Sequence, residues 1–243
     1  MVRNGGEACL WKCSLTNGSI EVFFGNNLRG EYFLIQEPYC RICATPGVGT
    51  DWCTWHGRCY GFDKAFAMGL YYPSRGDPSS IGWNDFLSKH IRGLKSYPRY
   101  AIPLGLGLSL CITKIYTELQ KMNLIVPVPK FATELKKAVN ESGKMYNQAT
   151  ELSKVISMKT SIPCAEALEK LREQKMRGLT VDERWAVVKG LYRVCDKGVI
   201  ERRKVILVDD VFTSGATVSE CSDMLLRAGS ECVNVLVAGR DTG

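Results

Sequence analysis

The sequence predicts an α/β protein whose central parallel sheet is flanked by helices, with a small β-rich module on its N-terminal side. An apolar run at residues 205–208 is followed by a helical pattern at 218–228 and by a second apolar run at 232–238. A strand, a helix and a strand in that order favour a right-handed crossover between parallel strands. The third observation is a cluster of six cysteines within the first sixty residues, which predicts the separate module.

The composition is that of an ordinary globular protein. The chain has 243 residues, of which 45% are hydrophobic, and a net charge of +7. This length suits one large domain or two small ones. We predict a β-rich, zinc-binding module at residues 1–72 and an α/β domain at residues 83–243. The positive charge suits anionic ligands such as phosphates or nucleic acid, although proteins that bind neither often carry a similar excess.

No segment of the sequence is typical of a membrane protein. The longest strongly apolar run, at residues 101–112, is shorter than the roughly 20 residues that a membrane-spanning helix needs. The N-terminus lacks the apolar stretch of a signal peptide. We therefore expect a cytoplasmic protein without a membrane partner.

Hydrophobic periodicity places the remaining elements. Alternation predicts a hairpin from residues 19–24 and 30–35, and further strands at 62–72 and 124–129. Helical spacing predicts helices at 83–94, 110–122, 132–139 and 146–157.

Two adjacent acids and a hydroxyl-rich loop follow the strand at 205–208. Ligands of open α/β sheets bind outside the carboxyl ends of the strands, so Asp209 and Asp210 are expected beside a ligand. Residues 213–217 lead into a helix whose first N–H groups and dipole favour an anion, and Gly215 permits a tight turn. The carboxylates would repel phosphate, but they can accept hydrogen bonds from sugar hydroxyls. The pattern therefore indicates a sugar phosphate.

The segment VILVDDVFTSGAT closely resembles the phosphoribosyl-pyrophosphate signature of type I phosphoribosyltransferases. This resemblance implies the type I phosphoribosyltransferase fold, with Asp209 and Asp210 as the catalytic acids that hold the ribose hydroxyls. It also implies Mg²⁺, shared by those hydroxyls and the pyrophosphate. The residues that it assigns to binding of the sugar phosphate are Val211, Phe212, Thr213, Ser214, Gly215, Ala216 and Thr217.

Four further segments are similar, in the same order, to those of ComF-type phosphoribosyltransferase-like proteins. They are HIRGLKSY, VPVPK, KMYNQATELSKVI and LTVDERWAVVKGLY. The resemblance implies that Val128, Pro129 and Lys130 flank the pyrophosphate. It also places the basic residues of 170–184, including Arg184, in a mobile loop over the pyrophosphate; a solvated helix face is the alternative. Lys144 and Met145 stand where the family usually has Arg-Gly.

The cysteine cluster predicts a structural Zn²⁺ site. Cys40-x2-Cys43 and Cys53-x2-His56 have the spacing of two zinc-binding turns, and zinc favours four such ligands in a tetrahedron. Cys59 is an alternative to His56, and plain free cysteines are the alternative to a metal site. The remaining cysteines are expected to be small core residues, apart from the pair at positions 9 and 13, whose role the sequence leaves open.

Two functions remain open at this point. One is an enzyme that transfers a phosphoribosyl group from phosphoribosyl pyrophosphate to an acceptor and releases pyrophosphate. The other is a nucleotide-sensing or nucleic-acid-associated binding protein, since ComF-type proteins are associated with DNA uptake and competence. Aromatic and basic residues at 52–60 would stack on single-stranded bases or simply pack the zinc module. The candidate binding partners are phosphoribosyl pyrophosphate or another ribose 5-phosphate, nucleic acid, another protein and a second copy of the chain.

Overall fold

The computed structural model describes residues 10–40, 42–47, 60–74, 76, 78–137, 143, 145–176 and 178–242. The strands are β1 (Trp11–Leu15), β2 (Ser19–Phe24), β3 (Asn27–Phe33), β4 (Lys64–Leu70), β5 (Leu124–Pro127), β6 (Lys136–Lys137), β7 (Met145–Tyr146), β8 (Leu168–Lys170), β9 (Tyr192–Val194), β10 (Lys204–Phe212) and β11 (Cys232–Arg240). The α-helices are α1 (Ile81–Asn84), α2 (Phe86–Leu94), α3 (Ala101–Leu110), α4 (Gln148–Thr160), α5 (Val181–Val188), α6 (Lys197–Ile200) and α7 (Ala216–Arg227).

The main sheet of the described residues is parallel and has the strand order β4–β11–β10–β5. Helix α7 connects β10 to β11, as the strand–helix–strand pattern predicts. The residues of β10 at 205–208 are fully buried, because a central parallel strand is covered on both faces. The predicted α/β class with a parallel, helix-flanked sheet is therefore confirmed.

Strand β4 lies within the range that the sequence analysis assigns to the N-terminal module, yet it belongs to the main sheet. It pairs in parallel with β11, and Leu70 is in register with Arg240. The division at residue 72 stays a prediction, but the edge of the main sheet comes from the N-terminal third of the chain.

The predicted N-terminal hairpin is confirmed as β2 and β3, and β1 adds a third antiparallel strand that the pattern did not reveal. This small sheet packs against the main body through both β1 and β3. The Tyr32 hydroxyl and His90 Nδ1 of α2 are hydrogen-bonded at 2.6 Å, and both residues are buried. Burial lowers the pKa of His90 to about 4, so its ring is neutral near pH 7 and serves in packing.

The helix predicted at 83–94 is present but divided. The Asp85 carboxylate accepts a hydrogen bond from the Ser88 N–H at 2.7 Å and starts α2 directly after α1. A helix is also predicted at 110–122. In the structure α3 ends at Leu110, and a π-turn and a 3₁₀ turn follow it.

The prediction of a helix at 132–139 is wrong for its described part. A single 3₁₀ turn, Ala132–Glu134, leads into β6. The Glu134 carboxylate accepts hydrogen bonds from the Phe131 N–H and from Lys170, and β6 pairs with β7. The contact with Lys170 and the pairing of β6 with β7 override the local helical spacing.

Across the described part of the chain, no helix combines the length and the apolar character needed to cross a membrane.

Candidate functional site

The two acids lie in the last part of β10, directly after the point where its pairing with β5 ends. Val208 of β10 is in register with Pro127 of β5 and Leu236 of β11, and Asp209 and Asp210 follow it, half-buried. The Asp209 carboxylate accepts a hydrogen bond from the Asp210 N–H at 2.9 Å, and the Asp210 carboxylate accepts one from the Val211 N–H at 2.9 Å. Each carboxylate is therefore oriented by the backbone of the next residue.

The first acid is in an unfavourable environment for a charge. Burial and the neighbouring charge of Asp210 raise the pKa of Asp209 well above the usual value of a carboxyl group, although the Lys130 ammonium opposes this shift. A ligand that supplies positive charge or donates hydrogen bonds would relieve the repulsion between the two carboxylates. A divalent cation and a sugar hydroxyl are both ligands of this kind, so the pair fits Mg²⁺ as well as ribose.

Residues 213–217, which we call the phosphate loop, adopt the conformation expected of an anion site. Gly215 is the N-cap of the 12-residue helix α7 and has a left-handed backbone, with φ of +79°. Gly215 makes no side-chain cap, and the Ala216 N–H donates to the neighbouring Ser214 hydroxyl at 3.5 Å. The start of a helix directs its first N–H groups and the positive end of its dipole towards an anion. A Cβ atom at Gly215 would lie 2.6 Å from the Tyr60 ring and 2.7 Å from the Phe212 ring. Glycine is therefore required here by both conformation and space.

The acid and the phosphate loop share one cavity of about 60 Å³. Its lining residues are Met176, Arg184, Asp209, Val211, Phe212, Thr213, Ser214, Gly215, Ala216, Thr217 and Val218. The structure thus brings Asp209 together with every residue of the predicted loop, whereas Asp210 does not line this cavity. One wall can accept hydrogen bonds and the other can bind an anion.

Arg184 contributes a cation to the same cavity. Its Nη1 donates to the Thr213 hydroxyl at 3.2 Å, and its Nε donates to the Leu179 carbonyl at 3.1 Å. Arg184 is one of the basic residues predicted to cover the pyrophosphate; that role stays a prediction, and the side chain lies at the phosphate loop. Lys170, from the same group, forms a largely buried ion pair with Glu134.

The segment predicted to flank pyrophosphate follows β5, the neighbour of β10. The Val128 N–H donates to the Val208 carbonyl at 2.9 Å, and the Val128 carbonyl accepts a hydrogen bond from the Asn147 side chain at 2.8 Å. Lys130 donates to the side-chain oxygen of Gln148, which is 1% exposed and begins α4. Asn147 and Gln148 were not predicted as site residues, although both lie in the segment KMYNQATELSKVI, at the start of a predicted helix.

Cys40, Ile42, Cys43, Ala44 and Thr45 form a tight turn, which we call the cysteine turn. Both thiols are buried. The Ile42 N–H points to Cys40 Sγ at 3.4 Å, and Cys43 Sγ lies 3.0 Å from the Thr45 hydroxyl. Burial raises the pKa of the Cys40 thiol to about 11, and a bound cation would favour the thiolate instead.

The cysteine turn holds two of the four residues that the sequence predicts to bind zinc. Cys53, His56 and Cys59, the other candidate ligands, lie outside the described residues, as do Cys9 and Lys144. Among the residues that are described, no cluster of three or more His, Cys, Asp or Glu side chains could hold a metal ion. Zinc therefore stays a prediction, and the buried pair of thiols agrees with the donor chemistry that it requires.

A second, larger cavity of about 670 Å³ lies at the carboxyl end of β4. Most of its lining comes from the N-terminal third of the chain and is apolar, with a few polar groups. The lining residues are Phe33, Leu34, Ile35, Gln36, Pro46, Leu70, Tyr72, Ser79, Ile81, Asn84 and Asp85. Since Leu70 pairs with Arg240, and Arg240 pairs with Phe212, this cavity opens two strands away from the phosphate loop.

No protein-family model matches the chain. A curated relative shares 31% identity over 121 residues, which are 49% of this chain and 50% of the relative. The chain is similar to Competence protein F of Haemophilus influenzae. It spans about half the length of that curated relative.

Two solved structures also match. Glutamine phosphoribosylpyrophosphate amidotransferase from B. subtilis, complexed with ADP and GMP, is 15% identical, with a TM-score of 0.35 over 93% of this chain and 37% of the other. A structure described as the allosteric regulatory enzyme of purine biosynthesis is 20% identical, with a TM-score of 0.34 over 55% of this chain and 24% of the other.

Proposed function

We propose that the chain binds phosphoribosyl pyrophosphate, or another ribose 5-phosphate, at the carboxyl end of β10. The observation that carries this proposal is the single small cavity lined by Asp209, Arg184 and the phosphate loop. A sugar phosphate presents an anion at one end and hydroxyl groups at the other. The cavity offers helix N–H groups and a guanidinium to the first, and a carboxylate to the second.

The proposed binding mode assigns a role to each part of the site. The 5-phosphate lies against the phosphate loop and Arg184, and Asp209 accepts hydrogen bonds from the ribose hydroxyls. Lys130, beside Asp209, faces the pyrophosphate. When bound, Mg²⁺ would be held by Asp209 and Asp210 and would neutralise the charge of the leaving pyrophosphate.

The activity that fits this binding mode is transfer of the phosphoribosyl group. An acceptor atom forms a bond to C1 of the ribose while the bond from C1 to pyrophosphate breaks, and the acceptor's proton passes to solvent. Positive charge develops on the sugar ring during this exchange. Catalysis then depends on orientation of the ribose by Asp209 and Asp210 and on stabilisation of the leaving group by Lys130.

The larger cavity beside β4 is our proposed acceptor site. Its volume and apolar walls, together with polar groups such as Gln36 and Asn84, are typical of pockets for a planar ring with hydrogen-bonding edges. A nucleobase is an acceptor of that chemistry.

A second function is favoured by the name of the curated relative. Competence protein F suggests a role in competence, in which the same site would sense a nucleotide without turnover. The net charge of +7 would assist contact with nucleic acid.

One paired experiment tests the proposal and separates the two functions. Binding of phosphoribosyl pyrophosphate with Mg²⁺ is followed by calorimetry, and pyrophosphate release is followed in parallel with a panel of nucleobases and ammonia. Release that is lost in Asp209→Asn/Asp210→Asn, but kept in Glu231→Gln, supports transfer; Glu231 is an exposed acid at the opposite end of the sheet. Binding without release supports the sensor. Absence of binding overturns both.

A further inference from the structure

Arg240, the last residue of β11, is a buried cation placed between two functional segments. Its side chain is 3% exposed. On one side, Nε donates to the Cys43 carbonyl at 2.9 Å, and Nη2 donates to the Thr45 hydroxyl at 3.1 Å. Both partners belong to the cysteine turn. Arg240 therefore fixes the backbone and a side chain of that turn.

The other side of the same guanidinium holds the entry to the phosphate loop. Nη1 donates to the Phe212 carbonyl at 3.1 Å and to the Thr213 carbonyl at 2.8 Å. The guanidinium carbon also lies 4.8 Å from the centre of the Phe212 ring, a favourable cation–π distance. The position of the phosphate loop thus depends on the position of Arg240.

Thr45 extends this connection to a sulfur atom. Its hydroxyl oxygen accepts the hydrogen bond from Arg240 Nη2 and lies 3.0 Å from Cys43 Sγ, where either the hydroxyl or the thiol can be the donor. A continuous path of contacts runs from Cys43 Sγ through Thr45 and Arg240 to Thr213. Since the guanidinium is planar and rigid, a displacement of one of its hydrogen-bonded edges is passed to the other.

We propose that Arg240 is a positioning residue through which metal binding at the cysteine turn controls the shape, and hence the affinity, of the phosphate loop. The affinity part rests on the proposed sugar-phosphate function; the change in loop shape does not. Zinc at Cys43 would fix the sulfur and the turn, and Arg240 would then hold the Phe212 and Thr213 carbonyls in the binding conformation. By thermodynamic linkage, a bound sugar phosphate would raise the affinity for zinc by the same factor.

The change in loop shape is tested without any ligand. Backbone amide exchange of residues 213–217 is measured by mass spectrometry in the full chain, first loaded with zinc chloride and then treated with a chelator. In the wild type, removal of zinc is expected to accelerate exchange about fivefold or more. In Arg240→Lys, which keeps the charge but loses the planar fork, the ratio of the exchange rates without and with zinc should approach one.

Thr45→Val is a second variant that removes the hydroxyl but keeps Arg240 and nearly the same side-chain volume. Arg193→Lys, on an exposed part of β9, should behave as the wild type.

The affinity is tested by titration with ribose 5-phosphate, with and without zinc. We expect the zinc-loaded wild type to bind about fivefold or more tightly than the chelated protein, with this ratio reduced in Arg240→Lys and in Thr45→Val. Wild-type exchange that is the same with and without zinc, or a chain that takes up no zinc, overturns the proposal. A zinc-loaded wild type that binds no ribose 5-phosphate contradicts the proposed function, while the amide exchange still decides the coupling.

Discussion

Gly215 and Tyr60 are in such close contact that a Cβ atom at position 215 would lie 2.6 Å from the Tyr60 ring. Tyr60 in turn stacks on Phe62, with ring centres 4.8 Å apart, and contacts Phe212 and Trp185. A cluster of aromatic rings therefore fixes the start of α7, and all of them except Phe212 are distant in sequence from the helix. The shape of the phosphate loop depends on residues outside the motif that predicts it.

Replacement of this glycine tests the phosphate loop. Gly215→Ala adds a strained left-handed alanine, at a cost of about 1–2 kcal/mol, and a clash with Tyr60. Gly190→Ala is the matched control, because Gly190 also has a positive φ of +65° but has open space around its Cβ position. Calorimetric titration with ribose 5-phosphate should show lost binding only in Gly215→Ala, and thermal unfolding should show the larger destabilisation there. Equal effects of the two substitutions on binding would contradict the assignment.

The raised pKa of Asp209 predicts how stability varies with pH. Because the pKa is higher in the folded than in the unfolded protein, the folded state binds the proton more tightly. The free energy of unfolding should therefore fall as pH rises from the unfolded pKa of a carboxyl group to the higher folded value. Asp209→Asn should remove this fall and stabilise the free protein above that window, yet abolish ligand binding. Denaturant titrations at several pH values measure the free energy of unfolding, with Glu231→Gln as control. A pH profile of Asp209→Asn that matches the wild type would refute the role of Asp209.

The position of Arg184 in the cavity predicts that its removal lowers the affinity for the phosphate group. Hydrogen bonds to charged groups contribute about 1.5–3 kcal/mol, so Arg184→Ala should weaken ribose 5-phosphate binding by about tenfold or more. Arg193→Ala removes the same charge at an exposed position, where the side chain forms an ion pair with Glu169. That variant should bind normally. Similar losses in both variants would indicate a general effect of net charge.

The Lys170–Glu134 pair connects the segment after β5 to β8. The Lys170 side chain is 6% exposed and that of Glu134 is 18% exposed, and removal of one partner of a buried pair costs about 3–5 kcal/mol. Lys170→Met should therefore lower the free energy of unfolding strongly. Lys154→Met, which breaks the exposed pair with Glu151, should cost at most about 1 kcal/mol. Chemical denaturation compares the two, and a small effect of Lys170→Met would show that the pair is dispensable.

The proposed acceptor site predicts a change that separates transfer from binding. Leu70→Trp would fill part of the cavity beside β4 without reaching the phosphate loop. Pyrophosphate release with an acceptor should fall, while binding of phosphoribosyl pyrophosphate stays the same. Leu15→Trp, on the exposed side of β1, is the control. Release that is unaffected by Leu70→Trp would place the acceptor elsewhere.

The sequence predicts the β10–α7 region well because its signals are local. The apolar run, the two acids and Gly215 each constrain their own backbone, and all of them lie within a few residues of one another. The structure confirms the strand and the helix start, and it places Asp209 with the loop.

The remaining features depend on contacts between distant segments. Arg240 lies 197 residues from Cys43, and Glu134 lies 36 residues from Lys170. No periodicity encodes such pairs, and the second of them replaced a predicted helix by a turn. One signal in the sequence points to Arg240: a charged residue at the carboxyl end of a buried parallel strand is expected at the ligand-binding edge of the sheet.

The most direct test of the account is a calorimetric titration of the wild-type chain with phosphoribosyl pyrophosphate in the presence of Mg²⁺. We expect saturable binding of one ligand per chain, lost in both Gly215→Ala and Asp209→Asn/Asp210→Asn but kept in Gly190→Ala and Glu231→Gln. Absence of saturable binding by the folded wild type, or equal binding by all of these variants, would contradict a sugar-phosphate site at the end of β10.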